Sequence, residues 1–184
     1  MRLLSALSAL LVAITAPVVS SAADVPVSAG EVRSSTVEAG EVRRALYGEV
    51  HAKEPRSGDF VNVTLFGGLP SSQTTMYVLP SGGSQFRGEI VSQDAIYEGR
   101  PKPKTQRADF SISPEASRRI ASILENQMLW AERNGRSGGC TDQPIAVLEI
   151  VWKGKRRAAV RVACAPPDLT GSLIDTALYQ AHKP

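Results

Sequence analysis

The segment from residue 145 to residue 164 constrains the fold most, because two runs of alternating apolar residues flank a short turn. Alternation with a period of two is typical of strands with one buried face. A two-residue turn would place the apolar Ile150 opposite the charged Arg157. A three-residue turn at 153–155 instead places Ile150 opposite Ala158 and keeps one apolar face. We therefore predict an antiparallel hairpin with a three-residue turn.

The rest of the chain predicts further strands and two helices. Alternating or β-branched residues between turn signals mark strands at 60–66, 75–79, 85–91 and 107–112. Ser113 before Pro114 is typical of a helix start, and a second helix is predicted to begin near Asp168. Together these elements predict an α+β fold, an antiparallel sheet of about five to six strands with two helices packed on one face.

The N-terminus is typical of a cleavable signal peptide. Arg2 precedes an apolar run at 3–16, Pro17 follows, and small residues occupy 20–23. The run is shorter than the roughly 20 residues that a membrane-spanning helix needs. We therefore predict a signal peptide at 1–23, a periplasmic or secreted protein, and no transmembrane anchor after cleavage.

The segment that follows the signal peptide lacks a pattern that would bury a face. Residues 24–58 are rich in Gly, Ser, Glu and Arg, and glycines would interrupt any helix there. We therefore predict a flexible linker at 24–58 and a single α+β domain at 59–184.

The two cysteines, Cys140 and Cys164, predict one disulfide bond. An even number of cysteines in an exported chain favours pairing. A metal site needs three or four convergent ligands, yet the two histidines, His51 and His182, lie far from both cysteines in the sequence. Redox catalysis needs closely spaced cysteines. We therefore expect neither a metal nor a thiol-based activity.

The chain as a whole is nearly neutral and is not strongly cationic. The net charge is +3, and removal of 1–23 takes away Arg2 and lowers it to +2. Such a balance does not favour a nucleic-acid partner. Two local basic stretches nevertheless occur. The first comprises Arg100, Lys102, Lys104 and Arg107, and the second comprises Lys153, Lys155, Arg156 and Arg157.

If these two stretches converge in space, they form a possible anion-binding patch suited to an anionic envelope component. The alternative partner is another periplasmic protein. Catalysis by a positioned base is not expected, because His51 lies in the predicted linker and His182 near the end of the chain. We find no catalytic residues and no cofactor motif, and we predict a non-enzymatic binding or structural role.

The order of elements resembles that of small exported proteobacterial domains of unknown function. The similarity covers about 59–181 and includes a Phe, Gly and Pro turn at 66–70 and a Tyr-containing strand with a glycine turn at 77–83. The remaining matched residues are Asp142, Pro144, Lys153, Gly154, Lys155, Pro167, Leu169, Leu173 and Asp175. This resemblance implies a fold and an exported location, and no activity.

A more local segment resembles the subtilisin-inhibitor family of secreted protease inhibitors. The matched residues are Cys140, Pro144, Val151, Trp152, Gly154, Lys155, Arg156 and Cys164. In that family the reactive loop follows the first of these cysteines. The resemblance implies, as the alternative function, a secreted serine-protease inhibitor.

Overall fold

The computed structural model describes residues 25–68, 72–95, 103–138, 140, 142–162, 165 and 168–182. These residues form one sheet of eight strands and four helices. The strands are β1 (Val25–Pro26), β2 (Phe60–Phe66), β3 (Gln73–Gly82), β4 (Gln85–Gln93), β5 (Thr105–Ser111), β6 (Gly135–Ser137), β7 (Ile145–Trp152) and β8 (Lys155–Val162). The helices are α1 (Ala29–Glu49), α2 (Pro114–Glu125), α3 (Gln127–Ala131) and α4 (Leu169–Ala181).

The sheet is larger than predicted and is not purely antiparallel. Its order is β1-β6-β8-β7-β2-β3-β4-β5, and β6 runs parallel to β8 while the other neighbours are antiparallel. The prediction of a five- or six-stranded antiparallel sheet with two helices is therefore wrong. Strands β1 and β6 have two and three residues. Such short strands carry too few side chains to show a period of two.

Helices cover both faces of the sheet. Helix α1 packs on one face, where Leu46 and Tyr47 join a core cluster with Phe66, Tyr77 and Val147. Helices α2, α3 and α4 pack together on the opposite face. The two predicted helices do share a face, and the third layer arises from a segment that the sequence analysis assigned to a linker.

The expectation of a flexible linker at 24–58 is overturned for 29–49, which form α1. Ser28 and Glu31 build a reciprocal cap: the Glu31 N–H donates to Ser28 Oγ at 3.2 Å, and the Ser28 N–H donates to Glu31 Oε2 at 2.9 Å. Ala39 and Leu46 of α1 are almost fully buried. Helical glycines weakened the sequence pattern, but burial against the sheet compensates for their low propensity.

The β7–β8 hairpin has a two-residue turn, so the predicted three-residue turn is wrong. Ile150 pairs with Arg157. Lys153 and Gly154 have φ of 47° and 78°, as the turns that match the twist of two paired strands require. Arg157 fits this register because its guanidinium donates to the backbone carbonyl at the end of α3. The one-residue shift also turns Val160 toward α1.

The predicted starts of α2 and α4 are confirmed. Ser113 caps α2 by accepting a hydrogen bond from the Ala116 N–H at 3.2 Å. Asp168 caps α4 by accepting from the Gly171 N–H at 2.6 Å. Helix starts were predictable because a cap acts locally through one side chain and the first turn. Within the described ranges, no helix combines the length and apolar character needed to cross a membrane; the predicted signal peptide lies outside those ranges.

Candidate functional site

The exposed turn of the β7–β8 hairpin is anchored on both sides by acidic residues. The Lys153 N–H donates to Asp59 Oδ1 at 3.0 Å, and Lys153 Nζ lies 2.6 Å from Glu125 Oε1. Glu125 also accepts from Trp152 Nε1 at 3.1 Å. The hydrogen bonds from Lys153 and Trp152 lower the pKa of Glu125. The hairpin turn is thus held between α2 and the segment before β2.

The tryptophans support this hairpin rather than forming an open stacking site. Lys155 Nζ lies 5.4 Å from the centroid of the Trp130 ring, a cation–π distance. The Trp130 Nε1–H donates to the Leu124 carbonyl at 3.1 Å. Trp152 packs against Phe86, with ring centroids 5.8 Å apart. Both rings therefore contribute to packing beside the hairpin.

Arg156 and Arg157 point to opposite faces of the sheet. Arg157 is half-buried, and its guanidinium donates to the Glu132 and Arg133 carbonyls at 3.0 and 3.3 Å. Arg156 is exposed, and it forms none of the ion pairs found among the described residues. Of the two, Arg156 is the residue that remains available to a ligand.

Arg156 lines an open cleft of about 610 Å³ on the α1 face, beside the hairpin. The cleft lies between the segment before β2 and strands β7 and β8. Its lining residues are Arg56, Gly58, Asp59, Phe60, Glu149, Ile150, Val151, Gly154, Arg156, Arg157 and Ala158. The size is within the range of small-ligand sites in proteins.

The acidic side chains of the cleft are engaged by other parts of the chain. Glu149 forms an ion pair with Arg43 of α1. Asp59 accepts the Lys153 N–H described above. Arg56 pairs with Glu54, yet half of its side chain, 49%, stays exposed. Among the described residues, the cleft therefore presents Arg156 outside any ion pair, beside the paired but half-exposed Arg56.

A buried polar network lies behind the cleft, between α1 and the sheet. Arg43 is 2% exposed, and its Nη1 donates to Asn62 Oδ1 at 3.1 Å. Asn62 Nδ2 in turn donates to Thr75 Oγ1 at 2.9 Å. Burial raises the pKa of the neighbouring Tyr77 to about 12, so this hydroxyl stays neutral. The network fixes the position of Arg43, which in turn holds Glu149.

A buried carboxylate connects α1 to strands β4 and β5. Glu89 of β4 is 3% exposed and accepts a 2.5 Å hydrogen bond from the Tyr47 hydroxyl. Its other oxygen lies 2.6 Å from Arg107 Nη2. Burial and the hydrogen bond to Glu89 raise the pKa of Tyr47. These groups satisfy one another and attach α1 to β4 and β5.

The described residues of the two predicted basic stretches lie far apart. Lys104 and Arg107 lie at the β5 edge, five strand positions away from β8, or about 24 Å at the usual strand spacing. Arg100 and Lys102 lie outside the described residues. Of the second stretch, Arg156 and Arg157 border the cleft described above.

The predicted disulfide stays a prediction, because Cys164 lies outside the described residues. Cys140 is described, and no free cysteine is found in the described ranges. Those ranges also contain no group of three or more His, Cys, Asp and Glu side chains placed to hold a metal ion.

The sequence pattern does not mark Arg43, Arg56 and Glu149 as members of one site. Arg43 and Arg56 both fall in the segment that was predicted to be a linker. The Ser28 and Glu31 pair, three residues apart, is the signal that could have located α1. The pairing of Arg43 with Glu149 depends on sheet order, which a single sequence does not encode locally.

No family model, no curated protein and no solved structure matches this chain. The resemblances drawn from short motifs therefore stay predictions.

Proposed function

We propose that the protein is an exported, non-enzymatic binding protein of the cell envelope, and that it binds anionic groups at the cleft beside the β7–β8 hairpin. The observation that carries this proposal is the position of Arg156, exposed at the cleft and outside the ion pairs of the described residues. A carboxylate or phosphate group fits the planar donors of arginine.

The contacts made by the buried polar groups support a non-enzymatic role. The contacts that hold α1 on the sheet already engage the polar groups of four residues, Arg43, Glu149, Tyr47 and Glu89. A catalytic base must instead be within reach of a substrate proton. We therefore assign these groups to the scaffold and the exposed cations to binding.

The inhibitor alternative draws no support from the segment that would form the reactive loop. A Cβ atom added at Gly68 would lie 2.8 Å from the Pro144 nitrogen and 3.0 Å from the Gln143 carbonyl carbon. Residues 143–144 are thus packed against the backbone of Gly68. A reactive loop must project to enter a protease, so we do not propose inhibition.

The test is binding to two anionic probes, alginate as a carboxylated polysaccharide and lipopolysaccharide as a phosphorylated lipid. The variant Arg156→Ser should bind the preferred probe at least about tenfold more weakly at low salt. Binding by the unmodified protein should fall when salt is raised, because exposed charges are screened beyond about 10 Å at 0.1 M ionic strength.

The matched control is Arg118→Ser, which removes one exposed positive charge from α2 on the opposite face. This variant should bind like the unmodified protein. An equal loss in both variants would show attraction by net charge alone, and no binding of either probe would overturn the proposal.

A further inference from the structure

The two edges of the sheet differ sharply in their capacity to pair with another strand. Among the described strands, β1 forms one edge and β5 the other. Strand β1 has two residues and includes Pro26, which lacks an N–H donor. Strand β5 has seven residues, contains no proline and is largely exposed. A long edge without these protective features is suited to strand addition.

The hydrogen bonds of β5 show which of its backbone groups face outward. The Asp94 N–H donates to the Lys104 carbonyl at 3.3 Å, directly before the first β4–β5 pair. Bonding direction alternates along an antiparallel strand, so even-numbered residues of β5 bond toward β4. The outward N–H and C=O groups therefore belong to Thr105, Arg107, Asp109 and Ser111.

The charges at this edge are self-complementary. Arg107 and Asp109 stand on either side of Ala108, and all three are exposed. We propose that β5 pairs antiparallel with β5 of a second copy of this chain, with Ala108 of both copies at the two-fold axis. Arg107 of each copy then lies opposite Asp109 of the other, and cross-strand opposite charges stabilise such pairs.

We compare this register with the two adjacent registers that also match the outward backbone groups. Of the three, it alone pairs opposite charges. A shift in one direction places Arg107 opposite Arg107, and a shift in the other places Asp109 opposite Asp109. Like charges directly opposite are destabilising. In the proposed register four outward residues of each strand form hydrogen-bonded pairs, which makes about eight backbone hydrogen bonds across the axis.

A second copy also places a cation opposite Asp109. Glu89 lies directly opposite Asp109 in the β4–β5 ladder, and within one copy Arg107 pairs with Glu89. Arg107 is 44% exposed, and its bond to Glu89 uses one of the five N–H donors of a guanidinium. In the dimer each Arg107 bridges its own Glu89 and the Asp109 of the second copy.

Charge reversal tests this interface by sedimentation of the full chain. The unmodified protein should be a dimer, and Asp109→Arg should raise the dissociation constant at least about tenfold, because Arg107 then faces a second arginine. The control Asp175→Arg reverses an exposed charge on α4 and should stay dimeric. A monomeric unmodified protein at high protein concentration would overturn the proposal.

A mixing experiment separates charge pairing from damage to the fold. Arg107→Asp also removes the partner of Glu89, so that variant alone is ambiguous if it is unstable. Mixed with Asp109→Arg it should form a heterodimer, since both opposed positions then carry opposite charges. Two folded variants that remain monomeric on mixing would contradict the proposed register.

Cross-linking provides a direct measure of the register. In Ala108→Cys the two introduced thiols lie opposite each other at a narrow pair, about 4.5 Å between Cα atoms, which suits a disulfide. In the control Gln106→Cys the two thiols are displaced by four residues, or about 13 Å. A covalent dimer on a non-reducing gel is expected for the first variant only. Equal cross-linking of both variants, or of neither, would refute this pairing.

Discussion

Gly88 of β4 lies directly beneath the ring of Phe110 in β5, its partner in the ladder. A Cβ atom added at Gly88 would lie 2.0 Å from Phe110 Cζ. Phe110 packs against the core on the α2 and α4 face. The glycine therefore makes room for an aromatic ring that covers the end of the core near the sheet edge.

We predict that Gly88→Ala destabilises the protein. The Phe110 ring has to leave its position, and overpacking of this kind costs about 1–3 kcal/mol. Urea denaturation measures the change in the free energy of unfolding. The cost should shrink in the double variant Gly88→Ala/Phe110→Ala relative to Phe110→Ala, and an unchanged cost would show that the ring is not the cause.

Gly48→Ala should have the opposite effect. Gly48 lies in the last turn of α1, and no atom lies within 4 Å of an added Cβ. Alanine has a higher helix propensity, so we expect a gain of up to about 1 kcal/mol in the same urea experiment. If 24–58 behaved as a flexible linker, this substitution would leave the stability unchanged.

Asp168→Asn should lower the stability by removing the charge that faces Arg161. Asp168 Oδ2 lies 2.8 Å from Arg161 Nη2, and their side chains are 8% and 5% exposed. Removal of one member of a buried pair costs about 3–5 kcal/mol. Asparagine keeps the cap of α4, so the loss reports the ion pairs of Asp168 with Arg161 and with Arg136. Asp175→Asn, at an exposed position on α4, serves as the control and should change stability by less than about 0.5 kcal/mol.

The same carboxylate should make stability depend on pH. Burial alone would raise the pKa of Asp168, but the Gly171 N–H and the Arg161 guanidinium outweigh burial and hold this pKa below its ordinary value of 3.8. A depressed folded-state pKa stabilises the fold above the unfolded pKa, and the stabilisation is lost as pH falls through the folded pKa. The unfolding free energy of the unmodified protein should therefore fall more steeply between about pH 5 and pH 2 than that of Asp168→Asn. Parallel curves for the two proteins would argue against the contribution of Asp168.

The predicted disulfide between Cys140 and Cys164 is tested by thiol titration of denatured, unreduced protein. No free thiol is expected, and two per chain would disprove the bond. Cys164→Ser should lower the melting temperature by an amount that corresponds to roughly 3.5 kcal/mol, the loop-closure contribution for a loop of this length.

Local signals predicted most strands and the starts of two helices. Ser113 and Asp168 act within one turn of the helix that each begins, so the sequence alone was sufficient to locate both caps. Helix α1 was missed because its apolar face is interrupted by glycines and by Arg43, whose burial depends on partners in distant strands.

The hairpin prediction failed for a related reason. It treated the charged Arg157 as incompatible with the apolar side of Ile150. The carbonyls of Glu132 and Arg133 satisfy that guanidinium, and they belong to a segment that reaches β8 only in the folded protein. The cleft beside Arg156 could not be predicted from the sequence for the same reason, since the segment before β2 forms one of its walls.

The central pairing of β2 with β7 has a consequence for how the chain is synthesised. Val63 pairs with Leu148, so β2 has only β3 as a partner until most of the polypeptide has emerged from the ribosome. Pairing between segments so far apart is slow, because a long loop must close first. The two halves of the sheet thus join only late in synthesis, after strands β2 to β5 are available.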